Sequence, residues 1–154
     1  MEAAITALLW FCAIGCGVMG GLYFAFSAFI MRALAEIEPA AGAAAMNAIN
    51  RVILRSLFMP LFLGTTLGCA ALAVLGLFPT ERSAWLLIAG GATYVIGMFV
   101  VTMAFNVPLN NALQSSGARD PAAWRGYVER WTRWNHVRTI ASTGASALFT
   151  AALQ

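Results

Sequence analysis

The chain has 154 residues, of which 61% are hydrophobic and 10% charged, with a net charge of +3 and a mean hydropathy of +0.79. A soluble domain carries roughly a quarter of its residues charged, so the composition excludes a water-soluble globular protein and leaves an integral membrane chain. All nine basic residues are arginine, against six acids, a balance suited to a bilayer surface, with no nucleic-acid partner expected.

Charge-free runs set the predicted elements. Glu2 and Arg32 enclose 29 uncharged residues, Arg55 and Glu81 enclose 25, and Arg82 and Arg119 enclose 36. A hydrocarbon core about 30 Å thick needs about 20 apolar residues in a helix, so three runs span outright. The first, from Ala4 to Arg32, begins beside an acid, lacks a basic leader and far outruns the apolar stretch of a signal peptide. It is expected to stay in the mature protein, and an alanine-rich linker around Pro39 follows it.

The second helix is expected from Ala43 to Leu77, passing through Asn47, Asn50, Arg51 and Arg55. Pro60 should kink it and free the Ser56 carbonyl, and Pro79 should end it. The third covers Ala84 to Phe105 and stops at Pro108. The fourth starts on Asp120-Pro121, an N-cap followed by a proline at the first helical position. It closes in 16 uncharged residues, Thr139 to Gln154, which become long enough to cross if the span begins at Trp134. The fold predicted is all-α: one domain over residues 1–154, a transmembrane four-helix bundle with cytoplasmic extensions of helices 2 and 4.

Eight of the nine arginines, all but Arg82, flank the loops between spans one and two and between spans three and four. Short arginine-rich loops stay in the cytoplasm, which places both termini outside and fits a bacterial inner membrane. The extensions Ala43–Arg55 and Pro121–Arg133 then lie on the cytoplasmic side, each too apolar to stand in water alone. Gly17 with Gly21, Gly64 with Gly68, and the ridge Ser142, Ser146 and Thr150 read as packing seams between helices. The same glycine spacing leaves homo-oligomerisation open. Cys12, Cys16 and Cys69 sit in apolar runs with no base or charge beside them and read as small buried fillers.

On the last helix a 100° step puts Trp124, Tyr127, Val128, Trp131, Trp134, Asn135 and Arg138 on one face. Arg125, Glu129, Arg133 and His136 form a solvated ladder opposite. A lone histidine on the solvated side, with no carboxylate cluster in the spans, predicts no metal site and no haem. Asn47, Asn50, Arg51 and Leu54 share a face of the second helix; Asn106 and Asn110 stand four apart at the end of the third; Tyr23 and Ser27 lie one turn apart on the first. All these groups fall at a similar depth, where polar side chains are costly unless they pair or line a cavity. The alternative to a pocket is that the asparagines cap broken helix ends while Arg51, Arg55 and Arg138 snorkel to lipid phosphates.

The stretch Asn106-Val107-Pro108-Leu109-Asn110-Asn111-Ala112-Leu113, followed by Trp124, Tyr127, Trp131, Trp134-Asn135 and Arg138, resembles the anthrone oxygenase-like family of small four-span membrane proteins. The likeness takes in Gly21 to Phe26 and the Asn50 region. It implies oxidation of an anthrone at its activated methylene to the quinone by molecular oxygen, with no metal or flavin cofactor. On that reading Arg138, helped by Asn135 and Asn106, stabilises the enolate oxygen. Trp131 and Trp134 stack on the rings, Tyr23 or Asn110 positions a peroxide, and Asn50, Arg51 and Trp124 complete the substrate pocket. The partner implied is a lipophilic aromatic small molecule or a lipid in the bilayer. A reading from another class uses the same residues: a non-catalytic membrane protein that binds a lipid or quinone, or an accessory subunit of a membrane complex.

Overall fold

The computed structural model describes residues 2–78, 83–116 and 120–154. Pro79, expected to end the second helix, and Arg82 and Arg119, used in the count of flanking charges, lie outside them. Five helices account for almost all the described residues, and no strand occurs among these: α1 (Glu2–Glu36), α2 (Pro39–Ile53), α3 (Phe58–Leu75), α4 (Ala84–Ser115) and α5 (Pro121–Ala152). By length and apolarity α1, α3 and α4 are able to cross a membrane. The end of α5 is less hydropathic because any 18-residue window there takes in Asn135, His136 and Arg138; of the Ser/Thr ridge, Ser142 and Ser146 are spent on packing, whereas Thr150 is exposed. Ser146 Oγ donates to the Ala13 carbonyl at 2.7 Å, Gly17 faces Ser146, and Gly20 faces Ser142 and Thr143.

Three expected breaks fall elsewhere, each for a backbone reason. Pro39 is not in a linker but opens α2, behind an N-cap at Glu38 whose carboxylate accepts from Ala41 N at 3.0 Å. The expected continuous helix from Ala43 to Leu77 is two helices. Between them Ser56 Oγ donates to the Ile53 carbonyl and accepts from Phe58 N, and the Ser56 carbonyl, expected free, accepts from Met59 N at 3.2 Å. Pro60 therefore falls in the first turn of α3, where a missing N–H is harmless. Pro108 does not stop α4. A π-helical stretch, Thr102–Asn106, precedes it, with Val107 N–H closing onto the Thr102 carbonyl. This wider turn gives the proline ring room that an α turn denies.

α1 packs along α5 and also against α3. Cys16 and Cys69 meet there with their sulfurs 3.5 Å apart, all three cysteines buried and free, and Gly68 admits Cys12. Leu9, Met19, Leu72, Leu87 and Phe149 belong to the resulting core. A second core joins the end of α1 and α2 to the start of α5 and the end of α4 through Met31, Met46, Leu113, Trp124, Tyr127 and Trp131. The two stretches expected to be too apolar to stand in water alone are thus packed together. The outward side chains of the long helices are large and apolar, among them Trp10, Ile14, Val18, Leu67, Trp85, Ile96 and Ile140, a surface that favours hydrocarbon over water.

Candidate functional site

Between the two cores lies a cavity of about 410 Å³. Its walls are mostly apolar, with Leu22, Phe26, Met46, Phe58, Phe62 and Met103 among the lining side chains, and its polar groups come from every helix except α3. It opens beside the exposed residues Arg51, Leu54, Asn111 and Gln114.

The inner wall is built on the α5 face that the helical period gathers. Trp131, Asn135 and Arg138 are all buried, at 4%, 0% and 6% exposure. Asn135 Nδ2 donates to the Tyr23 carbonyl and to Ser27 Oγ, each at 2.7 Å, and its Oδ1 accepts from Arg138 Nη2 at 2.6 Å. Arg138 Nη1 reaches Thr102 Oγ1 at 3.4 Å, and the guanidinium carbon lies 4.4 Å from the centroid of the Tyr23 ring and 5.0 Å from that of Trp131. Its Nε is buried without a hydrogen-bond partner, and no carboxylate among the described residues reaches it. Burying a cation costs several kcal/mol, which ordinary proteins offset with a carboxylate; here two aromatic faces and two neutral oxygens stand in its place.

A second polar group sits on α2, α4 and α5. Tyr127 Oη donates to Asn110 Oδ1 at 2.9 Å, and Asn110 Nδ2 donates to Asn50 Oδ1 at 3.1 Å. Burial pushes the Tyr127 phenol above its usual range, so it remains a donor.

Of the residues selected from sequence, Tyr23, Asn50, Arg51, Asn110, Trp131 and Arg138 line the cavity. Asn135 lies behind Arg138 and fixes it. Asn106 clamps α4 to α5, its Nδ2 donating to the Trp131 carbonyl at 3.3 Å. Trp134 is outside the lining, stacked on Phe105 with centroids 3.6 Å apart and planes 5° from parallel. Trp124 is also outside it, stacked on Tyr127 and pressed against Gly42. Asn135→Leu is expected to lower stability by about 2 kcal/mol, since it removes three buried hydrogen bonds and strands the groups they satisfy. Thermal melts in detergent measure this, and a loss under a few tenths would show that the clamp carries no weight.

Thr102 is a cavity residue absent from the expected set, although Thr102, Asn106 and Asn110 recur every four residues. No local sequence signal marks the three π-helical stretches, Phe26–Ile30, Val95–Val100 and Thr102–Asn106. Two of them supply cavity residues, and the third supplies Met98, whose sulfur accepts from Tyr23 Oη at 3.4 Å. Such turns loosen the backbone ladder and recur at functional sites. His136 is exposed, and no group of three His, Cys, Asp or Glu among the described residues is placed to hold a metal ion.

Residues 51–148, more than half of the chain, match a family described as Anthrone oxygenase. The chain belongs to that family. The anthrone oxygenase match includes Thr102, Asn110, Trp131, Asn135 and Arg138, while Tyr23 and Asn50 precede it. No curated protein and no solved structure matches the chain significantly.

Proposed function

We propose that the chain is a cofactor-independent oxidase or monooxygenase that takes a lipophilic aromatic, anthrone- or quinol-like, from the membrane into this cavity. The observation that carries the reading is the buried Arg138 guanidinium, without an anionic partner, on the wall of an apolar hollow. An oxyanion on a flat aromatic is the missing complement. Trp131 and Phe26 offer the ring faces, with centroids 5.5 Å apart.

The chemistry needs little more than that charge. A methylene flanked by aryl rings and conjugated with a carbonyl ionises more readily when its enolate oxygen sits beside a cation. The electron-rich enolate reduces molecular oxygen, a C–O bond forms at the former methylene, and the hydroperoxide loses water as the O–O bond and the remaining C–H bond break. The balance is CH2 plus O2 to C=O plus H2O. Arg138 holds the enolate oxygen, Asn135 aims Arg138, and Asn110 or Tyr23 orients the peroxide. No carboxylate or imidazole lines the cavity among the described residues, so the first proton passes to water at the cavity mouth, the cation having made the substrate more acidic, and a proton returns to the peroxide anion to form the hydroperoxide.

The same reading places the chain in a bacterial inner membrane with four crossings, α5 supplying the last, and both termini outside. Val137 and Ile140 face outward from α5, and the exposed Thr150 hydroxyl is satisfied by the Ser146 carbonyl at 2.8 Å, as a lipid-facing hydroxyl must be. α2 and the start of α5 then form the cytoplasmic cover of the cavity.

Oxygen uptake by proteoliposomes given anthrone tests the proposal. The expected result is one oxygen consumed per quinone formed, well above protein-free liposomes and insensitive to chelators. Uptake no faster than the spontaneous reaction would overturn it.

A further inference from the structure

Three buried N–H donors on residues that line the cavity have no hydrogen-bond partner among the described residues: Arg138 Nε, Trp131 Nε1 and Asn50 Nδ2. Buried donors left unmade are costly and normally find a partner. Two of them belong to the Arg138 wall. The third is elsewhere, and its polarity is fixed by its neighbours. Tyr127 is a phenol with Asn110 Oδ1 as its acceptor, so it must donate there. That leaves Asn110 its Nδ2 for Asn50 Oδ1, and leaves Asn50 presenting its NH2. Reversing Asn110 would leave the phenol proton without its acceptor, and reversing Asn50 would set two NH2 groups against each other.

The two donor groups are spaced along α4. Thr102 touches Arg138 and Asn110 touches Asn50, and the helix between them, partly π-helical, rises roughly 11 Å. The two donor groups therefore meet a ligand at two separate points, as two acceptor oxygens on one flat ring system would require.

We infer that Asn50, held in one orientation by Asn110 and Tyr127, is a specificity-determining residue that reads a second oxygen, so the cavity takes planar lipophiles carrying acceptor oxygens at opposite poles of a ring, as in a para-dione. The inference rests on the cavity being the ligand site proposed above, but not on turnover there. Asn50 touches the ligand, and Tyr127, which does not line the cavity, is a positioning residue.

The test is equilibrium binding to the full chain in lipid nanodiscs, read by tryptophan quenching. The probes are anthraquinone and thioxanthone, which share a three-ring outline but differ in having two polar carbonyls or one. The wild-type chain is expected to prefer anthraquinone about tenfold, the worth of one buried hydrogen bond. Asn50→Leu should erase that preference, Asn50→Gln should restore part of it, and Tyr127→Phe, which frees the amide to turn, should reduce it. Equal affinity of the two probes for the wild-type chain, or an unchanged preference in Asn50→Leu, overturns the inference, and the first of these needs no variant to fold. A chain that shows the preference yet consumes no oxygen keeps the inference and loses the oxidase.

Discussion

Replacing Arg138 by leucine is expected to abolish oxidation while leaving the protein as stable or more stable. The two effects have opposite signs because one group causes both. Arg138 is buried, bonded to Asn135 and Thr102, and faced by no carboxylate among the described residues. Its desolvation, several kcal/mol, is therefore not offset by an ion pair, and removing it outweighs or balances the about 1–3 kcal/mol lost with the bonds to Asn135 and Thr102. The same charge is what an enolate would meet. Loss of one preorganised oxyanion donor lowers turnover about 100-fold or more. Arg138→Lys keeps the charge but loses the planar fork that contacts Asn135, Thr102 and two ring faces together, so it should recover only a small part of the rate. Initial rates in proteoliposomes and melting in detergent measure the two effects on one preparation. Retained turnover in Arg138→Leu would remove the guanidinium from the chemistry, and a large fall in stability would mean that its charge is compensated in the folded protein.

The residues legible in the sequence are those that depend on one regular period. Trp131, Asn135 and Arg138 recur along an uninterrupted α-helix, so a 100° step is enough to bring them together. α4 carries two π-helical stretches, and each wide turn rotates the following residues away from their expected face. Asn106, expected at the site, accordingly bonds the backbone of α5, while Thr102 and Asn110 reach the cavity. The prolines depart from expectation for a similar reason. Its missing N–H marks a helix break only if an α turn precedes it, and Pro39 and Pro60 begin helices whereas Pro108 follows a π turn. Trp134 lies within the right arc of the wheel, yet its large ring found Phe105 on the neighbouring helix, a tertiary choice with no local signal. The all-α class and the apolar runs of α1, α3 and α4 needed only charge spacing, and these were readable at once.

Gly42→Leu is expected to cause the second large effect, a loss of about 3 kcal/mol with collapse of the cavity mouth. A Cβ on Gly42 would meet the Leu34 carbonyl oxygen at 2.7 Å and Trp124 Cζ2 at 2.7 Å. Neither neighbour can yield cheaply: the carbonyl belongs to the backbone of α1, and Trp124 is 2% exposed beneath Tyr127. α2 itself must move. It brings Met46, Asn47, Ile49, Asn50 and Arg51 to the cavity, so the displacement is expected to weaken substrate binding even though Gly42 is itself outside the lining. Amide hydrogen exchange should show protection lost first across residues 39–53, with α1 and the end of α5 little changed. Gly144→Ala is the control, since nothing stands within 4 Å of its Cβ position and alanine favours a helix by about 1 kcal/mol. Should Gly42→Leu melt like the wild-type chain and keep its affinity, α2 would not be held on α5 through Trp124, and the cover over the ligand site would have to be a looser element than its packing indicates.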